Sequence, residues 1–73
     1  MNIGLLWMDT QGELTDRVNR AAAHYRRKFG AEPDTCYAPP GEVPNGEMMV
    51  GGIRVIAQRG TLTNHYLIGV EDG

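Results

Sequence analysis

The stretch Glu13-Leu14-Thr15-Asp16-Arg17-Val18-Asn19-Arg20-Ala21-Ala22-Ala23-His24-Tyr25-Arg26-Arg27-Lys28-Phe29 decides how the rest of the chain is read. Leu14, Val18, Ala21, Ala22, Tyr25 and Phe29 recur at three- and four-residue intervals, which puts all of them on one stripe of an α-helix. Ala21, Ala22 and Ala23 favour helix intrinsically, Gly30 suits a left-handed C-cap, and Pro33 blocks continuation. At the other end Thr10 and Glu13 match a capping box, with Gly12 as an alternative start. A helix over 13–29 is predicted.

One helix then has to serve several strands. Residues 2–8 are a short apolar run, read as a central strand because Leu5 and Trp7 point one way and Leu6 and Met8 the other. Residues 34–38 are β-prone and closed by Pro39 and Pro40, so strand, helix and strand suggest a right-handed crossover with parallel neighbours. Residues 53–59 and 65–71 alternate in the strand manner, and the intervening 60–64 is the length of a hairpin connection. Residues 39–52 hold three prolines and four glycines in fourteen positions, which reads as a flexible or functional loop. The predicted fold class is α+β: a β-α-β unit followed by an antiparallel β-hairpin, a four-stranded mixed sheet in the order 2-1-4-3 with one helix on one face.

A chain of 73 residues has room for one small domain, and at this size folding buries only ~60 % of the surface that the unfolded chain exposes. Small domains compensate with disulfides, metals or oligomerisation, and the lone Cys36 excludes an internal disulfide. The net charge of −2, from seven basic and nine acidic residues, excludes a strongly basic nucleic-acid binder by composition. The amino end has neither the cationic stretch of a signal peptide nor the length of a membrane span, which leaves the cytoplasm as the expected compartment.

The helix is assigned to the sheet side that carries Ile53, Val55, Tyr66, Ile68 and Val70. Leu6, Met8, Ile56 and Leu67 then share the opposite side with Tyr37, an apolar centre inside a polar rim, as contact surfaces are built. Two covers are available for it. The 39–52 loop can lay Val43, Met48, Met49 and Val50 over it, or a second subunit can close it; an exposed hairpin edge offers a further route to dimerisation.

Motifs for chemistry are sparse. Arg17, Arg20, Arg27 and Lys28 fall with His24 on one flank of the helical stripe and define an alternative, nucleic-acid-binding reading. Against it, acids at the helix start and cations at its end are what the helix dipole favours, and no aromatic platform accompanies the cations. Cys36, His24 and His65 match no metal-ligand spacing, so neither a metal nor a cofactor is expected. Cys36 and His65 form the remaining pair for thiol chemistry, lacking a third, orienting group.

Tyr25-Arg26-Arg27-Lys28-Phe29-Gly30 with Pro33 and Cys36, Gly52-Ile53-Arg54-Val55, and Asn64-His65-Tyr66-Leu67-Ile68-Gly69-Val70 resemble segments of short bacterial proteins without an assigned activity. The resemblance implies a natural bacterial domain and transfers no substrate or site residue. The expectation is a non-enzymatic interaction module that forms a homo-oligomer, a dimer, through Leu6, Met8, Ile56, Leu67, Met48 and Met49.

Overall fold

A computed structural model describes residues 4–71 of the chain. The helix forms where the periodicity puts it: α1 is Leu14–Phe29, with Glu13 as N-cap and Gly30 as a left-handed C-cap at φ 66°, its N–H donating to Arg26 O at 2.8 Å. The start is held differently from the Thr10 and Glu13 box read from the sequence. Asp16 reaches back, its Oδ2 accepting from the Glu13 backbone N–H at 3.0 Å. Val18, Ala21, Ala22 and Tyr25 are buried on the stripe, while Phe29 packs at its end with its ring 4.7 Å from that of Tyr25.

The sheet has five strands, one more than the sequence pattern predicts: β1 Gly4–Met8, β2 Thr35–Ala38, β3 Glu47–Val50, β4 Ile53–Ala57 and β5 His65–Gly69. Their order is β1-β5-β2-β4-β3, in place of 2-1-4-3. β1 and β2 run parallel, as the crossover requires, but β5 lies between them and pairs antiparallel with both. The expected placing of β1 at the centre is corrected: it is an edge strand, and its second apolar face is bare rather than covered. The beginning of the predicted strand, Asn2 and Ile3, lies outside the described residues.

The predicted hairpin also changes partners. β4 pairs parallel with β2 and antiparallel with β3, and it does not touch β5 in the ladder. The connection 58–64 instead passes the end of β2, where Gln58 N–H donates to Ala38 O at 2.9 Å. The true hairpin is β3–β4, turned at Gly51 and Gly52; Gly51 has φ 58°, and glycine at the first central position is what a tight primed turn takes. So residues 39–52 are not a loop without regular structure, since they carry a 3₁₀ turn, Pro40–Glu42, and then β3. The hairpin partner that the prolines and glycines concealed is only four residues long.

Register sorts the side chains. Residues opposite one another share a face, so Leu5, Ile68, Cys36, Val55 and Met48 form one row across all five strands, toward α1. Val43 and Val50 join this core at 2 % and 4 % exposure, and Met48 packs against it. They therefore do not lie over the opposite face, and the proposed loop cover is corrected. Val70 follows β5 and is partly exposed rather than part of the core.

Candidate functional site

The face away from α1 has a second row through all five strands: Leu6, Leu67, Tyr37, Ile56 and Glu47. Four of the five are apolar or aromatic. Met8 beside His65, and Met49 beside Arg54, flank the row, so the structure places Leu6, Met8, Ile56, Leu67 and Met49 on one surface. Met48 is the exception among the residues singled out for an interface, because its position in β3 turns it toward the core. Leu6 is 66 %, Met8 61 % and Met49 58 % exposed, values that mark an uncovered surface rather than the rim of a core. The polar border is also in place. Arg54 donates from Nε and Nη2 to the two Glu47 carboxylate oxygens at 2.8 and 3.0 Å, and Tyr37 OH donates to Glu71.

The β4–β5 connection adds relief to this face. Gln58, Arg59, Gly60, Thr61 and Leu62 stand against Leu6, His65 and Leu67 and enclose a groove of about 290 Å³. Leu62 is 68 % exposed at its lip. Sequence reading missed Leu62 because it belongs to no period, although an isolated leucine inside a polar turn is itself a signal. His65 is fixed by its own turn, with Nδ1 2.8 Å from Thr63 O.

A polar network occupies the end of the sheet where β1 and β2 finish and α1 begins. Arg20 holds Asp9 by two contacts, Nε to Oδ2 at 2.7 Å and Nη2 to Oδ1 at 3.1 Å, and donates also to Gln11 O. Trp7 Nε1 and the Gln11 N–H donate to the same carboxylate. Arg20, assisted by these N–H groups, holds the Asp9 carboxyl well below the usual carboxylate range. Beside it, Arg17 Nη1 donates to Tyr66 OH at 2.8 Å and to Asn64 Oδ1 at 3.1 Å, and Tyr66 OH donates to Glu42 Oε1 at 2.6 Å. Burial and the Glu42 hydrogen bond push the Tyr66 phenol up to about 12. Among the described residues no buried side-chain nitrogen or oxygen lacks a partner. The network is closed, a clamp between helix and sheet.

That clamp divides the basic flank. Arg17 and Arg20 face carboxylates of their own chain, Arg17 Nη1 lying 3.5 Å from Glu42 Oε1. Arg27 and Lys28 stay exposed, Arg27 near His24 Nδ1 at 3.4 Å and Lys28 Nζ 5.6 Å from the Phe29 ring centre. Cys36 and His65 are not brought together. Cys36 is fully buried on the helix side, while His65 lies in β5 on the open side. Burial, with the Glu42 charge, pushes the Cys36 thiol up to about 12, the reverse of what a nucleophile needs. Among the described residues no group of three or more His, Cys, Asp or Glu could hold a metal ion, and no helix is long and apolar enough to cross a membrane.

Comparison with protein-family models, with curated proteins and with solved structures returns no match. The functional reading rests on geometry alone.

Proposed function

We propose that the chain is a non-enzymatic interaction module that acts by self-association, its open sheet face closing against a second copy. The observation that carries this reading is the row Leu6, Leu67, Tyr37 and Ile56 facing away from the only α-helix of the described residues, with Leu6, Met8 and Met49 each more than half exposed. Residues 39–52 do not cover it, since Val43 and Val50 go to the core, and the 58–62 connection borders it only at Leu6, His65 and Leu67.

Magnitudes set the affinity. A fully buried Leu or Met is worth ~1.5–3 kcal/mol, and these side chains still have roughly two-thirds of that to gain. A two-fold contact counts each of them twice, a total of the same order as the ~4–15 kcal/mol cost of association. Weak pairing, far from nanomolar, follows. The nucleic-acid reading has less support, because carboxylates already hold two of its four cations. A reducing, cytoplasmic setting goes with the single buried thiol.

Light scattering on a size-exclusion column, from about ten micromolar to the millimolar range, tests the proposal. A mass rising from 8.0 kDa toward twice that value is expected, and Leu67→Glu should suppress the rise while leaving the helical signal intact, because the charge would enter an apolar contact without a partner. A strict monomer at the highest concentration overturns it.

A further inference from the structure

Most arginines of this chain are already spoken for. Arg17, Arg20, Arg26 and Arg54 each face a carboxylate of the same chain. Arg59 makes no hydrogen bond or ion pair among the described residues, and it stands at the groove that the β4–β5 connection forms against Leu6, His65 and Leu67. No acidic residue lines that groove, so the guanidinium gives it a positive charge that nothing inside it opposes.

The wall that carries Arg59 is fixed by its own backbone. Thr61 N–H donates to Gln58 O at 3.2 Å and His65 N–H to Leu62 O at 3.0 Å, two turns in succession. Gly60 sits in the first of them at φ 87°, a value that suits glycine. Both ends of the connection are tied to the sheet: Gln58 N–H donates to Ala38 O at 2.9 Å, and Asn64 O accepts from Asp9 N–H at 2.9 Å. The His65 ring is held in turn by Thr63 O. A groove built in this way needs little ordering when it is filled, which favours binding.

Its chemistry divides into two parts. Leu6, Leu62 and Leu67 supply apolar lining, while the Gln58 amide, the Arg59 guanidinium and the Thr61 hydroxyl are donors without a side-chain partner among the described residues. Apolar walls with a few polar groups are the composition of small-molecule sites. The groove of about 290 Å³ lies at the small end of that class, with room for about ten water-sized volumes. A planar guanidinium matches the two oxygens of a carboxylate. The geometry points to a binding site for a small amphipathic monocarboxylate, its apolar tail among Leu6, Leu62 and Leu67 and its carboxylate at Arg59. This goes beyond self-association, because the whole groove belongs to one chain, although Leu6 and Leu67 serve both surfaces.

Saturation-transfer NMR tests it on the full chain at about ten micromolar, the bottom of the association range, with hexanoate as the probe. Saturation in the millimolar range is expected, in keeping with so small a ligand. Hexan-1-ol, which keeps the tail, and acetate, which keeps the charge, should each bind about tenfold more weakly or worse. Arg59→Gln should weaken hexanoate about fivefold or more and leave hexan-1-ol unchanged, since it removes a charge-assisted bond and no apolar wall. Arg27→Gln, at an exposed cation on the helix, should change neither. Leu62→Ser should weaken hexanoate and hexan-1-ol together.

An absence of saturable transfer from hexanoate overturns the site. So does hexan-1-ol binding as tightly as hexanoate, which would make the groove an apolar surface only, or a Leu62→Ser chain that binds hexanoate as the parent does. Loss of affinity shared equally by Arg59→Gln and Arg27→Gln would reduce the effect to net charge and overturns it too. If Arg59→Gln instead suppresses the rise in mass as Leu67→Glu does, and hexanoate does not bind, the groove belongs to the second copy. A strict monomer in light scattering leaves this site standing, and a failed titration leaves self-association standing.

Discussion

The Asp9 carboxylate and the Arg20 guanidinium meet in a two-point contact, Oδ2 to Nε at 2.7 Å and Oδ1 to Nη2 at 3.1 Å, that ties the end of β1 to the second turn of α1. Asp9 is the residue at which an apolar edge strand ends, and the contact fixes where the helix crosses the sheet. Arg20 thus serves the fold, although from the sequence it reads equally well as part of a phosphate-binding flank.

This contact makes stability depend on acid. Arg20, and then the N–H groups of Gln11 and Trp7, favour the ionised form of Asp9, so its folded-state pKa is lowered. A lowered carboxyl contributes stability that is present above the ordinary aspartate pKa and is lost as pH falls through the folded value. Asp9→Asn should be less stable than the parent at pH 7, and the gap should narrow steadily below about pH 4. Urea unfolding at a series of pH values measures it. A gap of constant size from pH 7 to pH 3 would mean that the contact contributes through shape and not through charge.

Tyr66 supplies the second tie. Its ring is fully buried, and its hydroxyl accepts from Arg17 and donates to Glu42. Tyr66→Phe keeps the ring and strands two charged partners, for an expected loss of about 1–3 kcal/mol. Combining it with Glu42→Gln should cost less than the sum of the single changes, because both remove the same bond. Strict additivity would show that the hydroxyl and the carboxylate are not coupled.

Two glycines around the helix should respond unequally. Gly30 has φ 66° with open space where a Cβ would go, so Gly30→Ala costs only the left-handed backbone, about 1–2 kcal/mol. Gly12 has φ 70°, and its Cβ would lie 2.7 Å from Asp16 Oδ2, the oxygen that accepts from the Glu13 N–H. Asp16 can yield only by releasing that bond. Gly12→Ala should therefore cost about 1 kcal/mol more than Gly30→Ala, the usual value of a cap. Thermal unfolding of the two variants side by side settles the order.

How far the sequence could be read follows from which interactions are local. The helix was legible because its period, its C-cap glycine and its burial stripe all lie within residues 14–30. The two sheet faces were legible for the same reason: alternation along β1, β4 and β5 needs no knowledge of partners. Strand order was not. Leu5 to Met8 read as apolar on both sides whether the strand is central and covered or at an edge and bare, and only pairing with β5 tells the two apart. β3 was hidden because Glu47 to Val50 is short and sits among prolines and glycines, its strand character coming from β4 across the turn. The side-chain partners of Arg17 in β5 and just before it, Tyr66 and Asn64, are distant in sequence as well, forty-nine and forty-seven residues away.

Cys36 gives a last check on the packing and on the thiol reading together. It lies in the core row between Ile68 and Val55, wholly inaccessible, with its thiol pushed up to about 12. Ionisation alone lowers the reactive thiolate about a thousandfold against an ordinary cysteine near 8.5. Alkylation by iodoacetamide at pH 8 should thus be at least about three orders of magnitude slower than for a free thiol. Its rate should climb with urea in step with loss of the helical signal, because modification then requires unfolding. Rapid alkylation in the absence of denaturant would place Cys36 outside the core, and with it the face assignment of β2 that separates the thiol from His65.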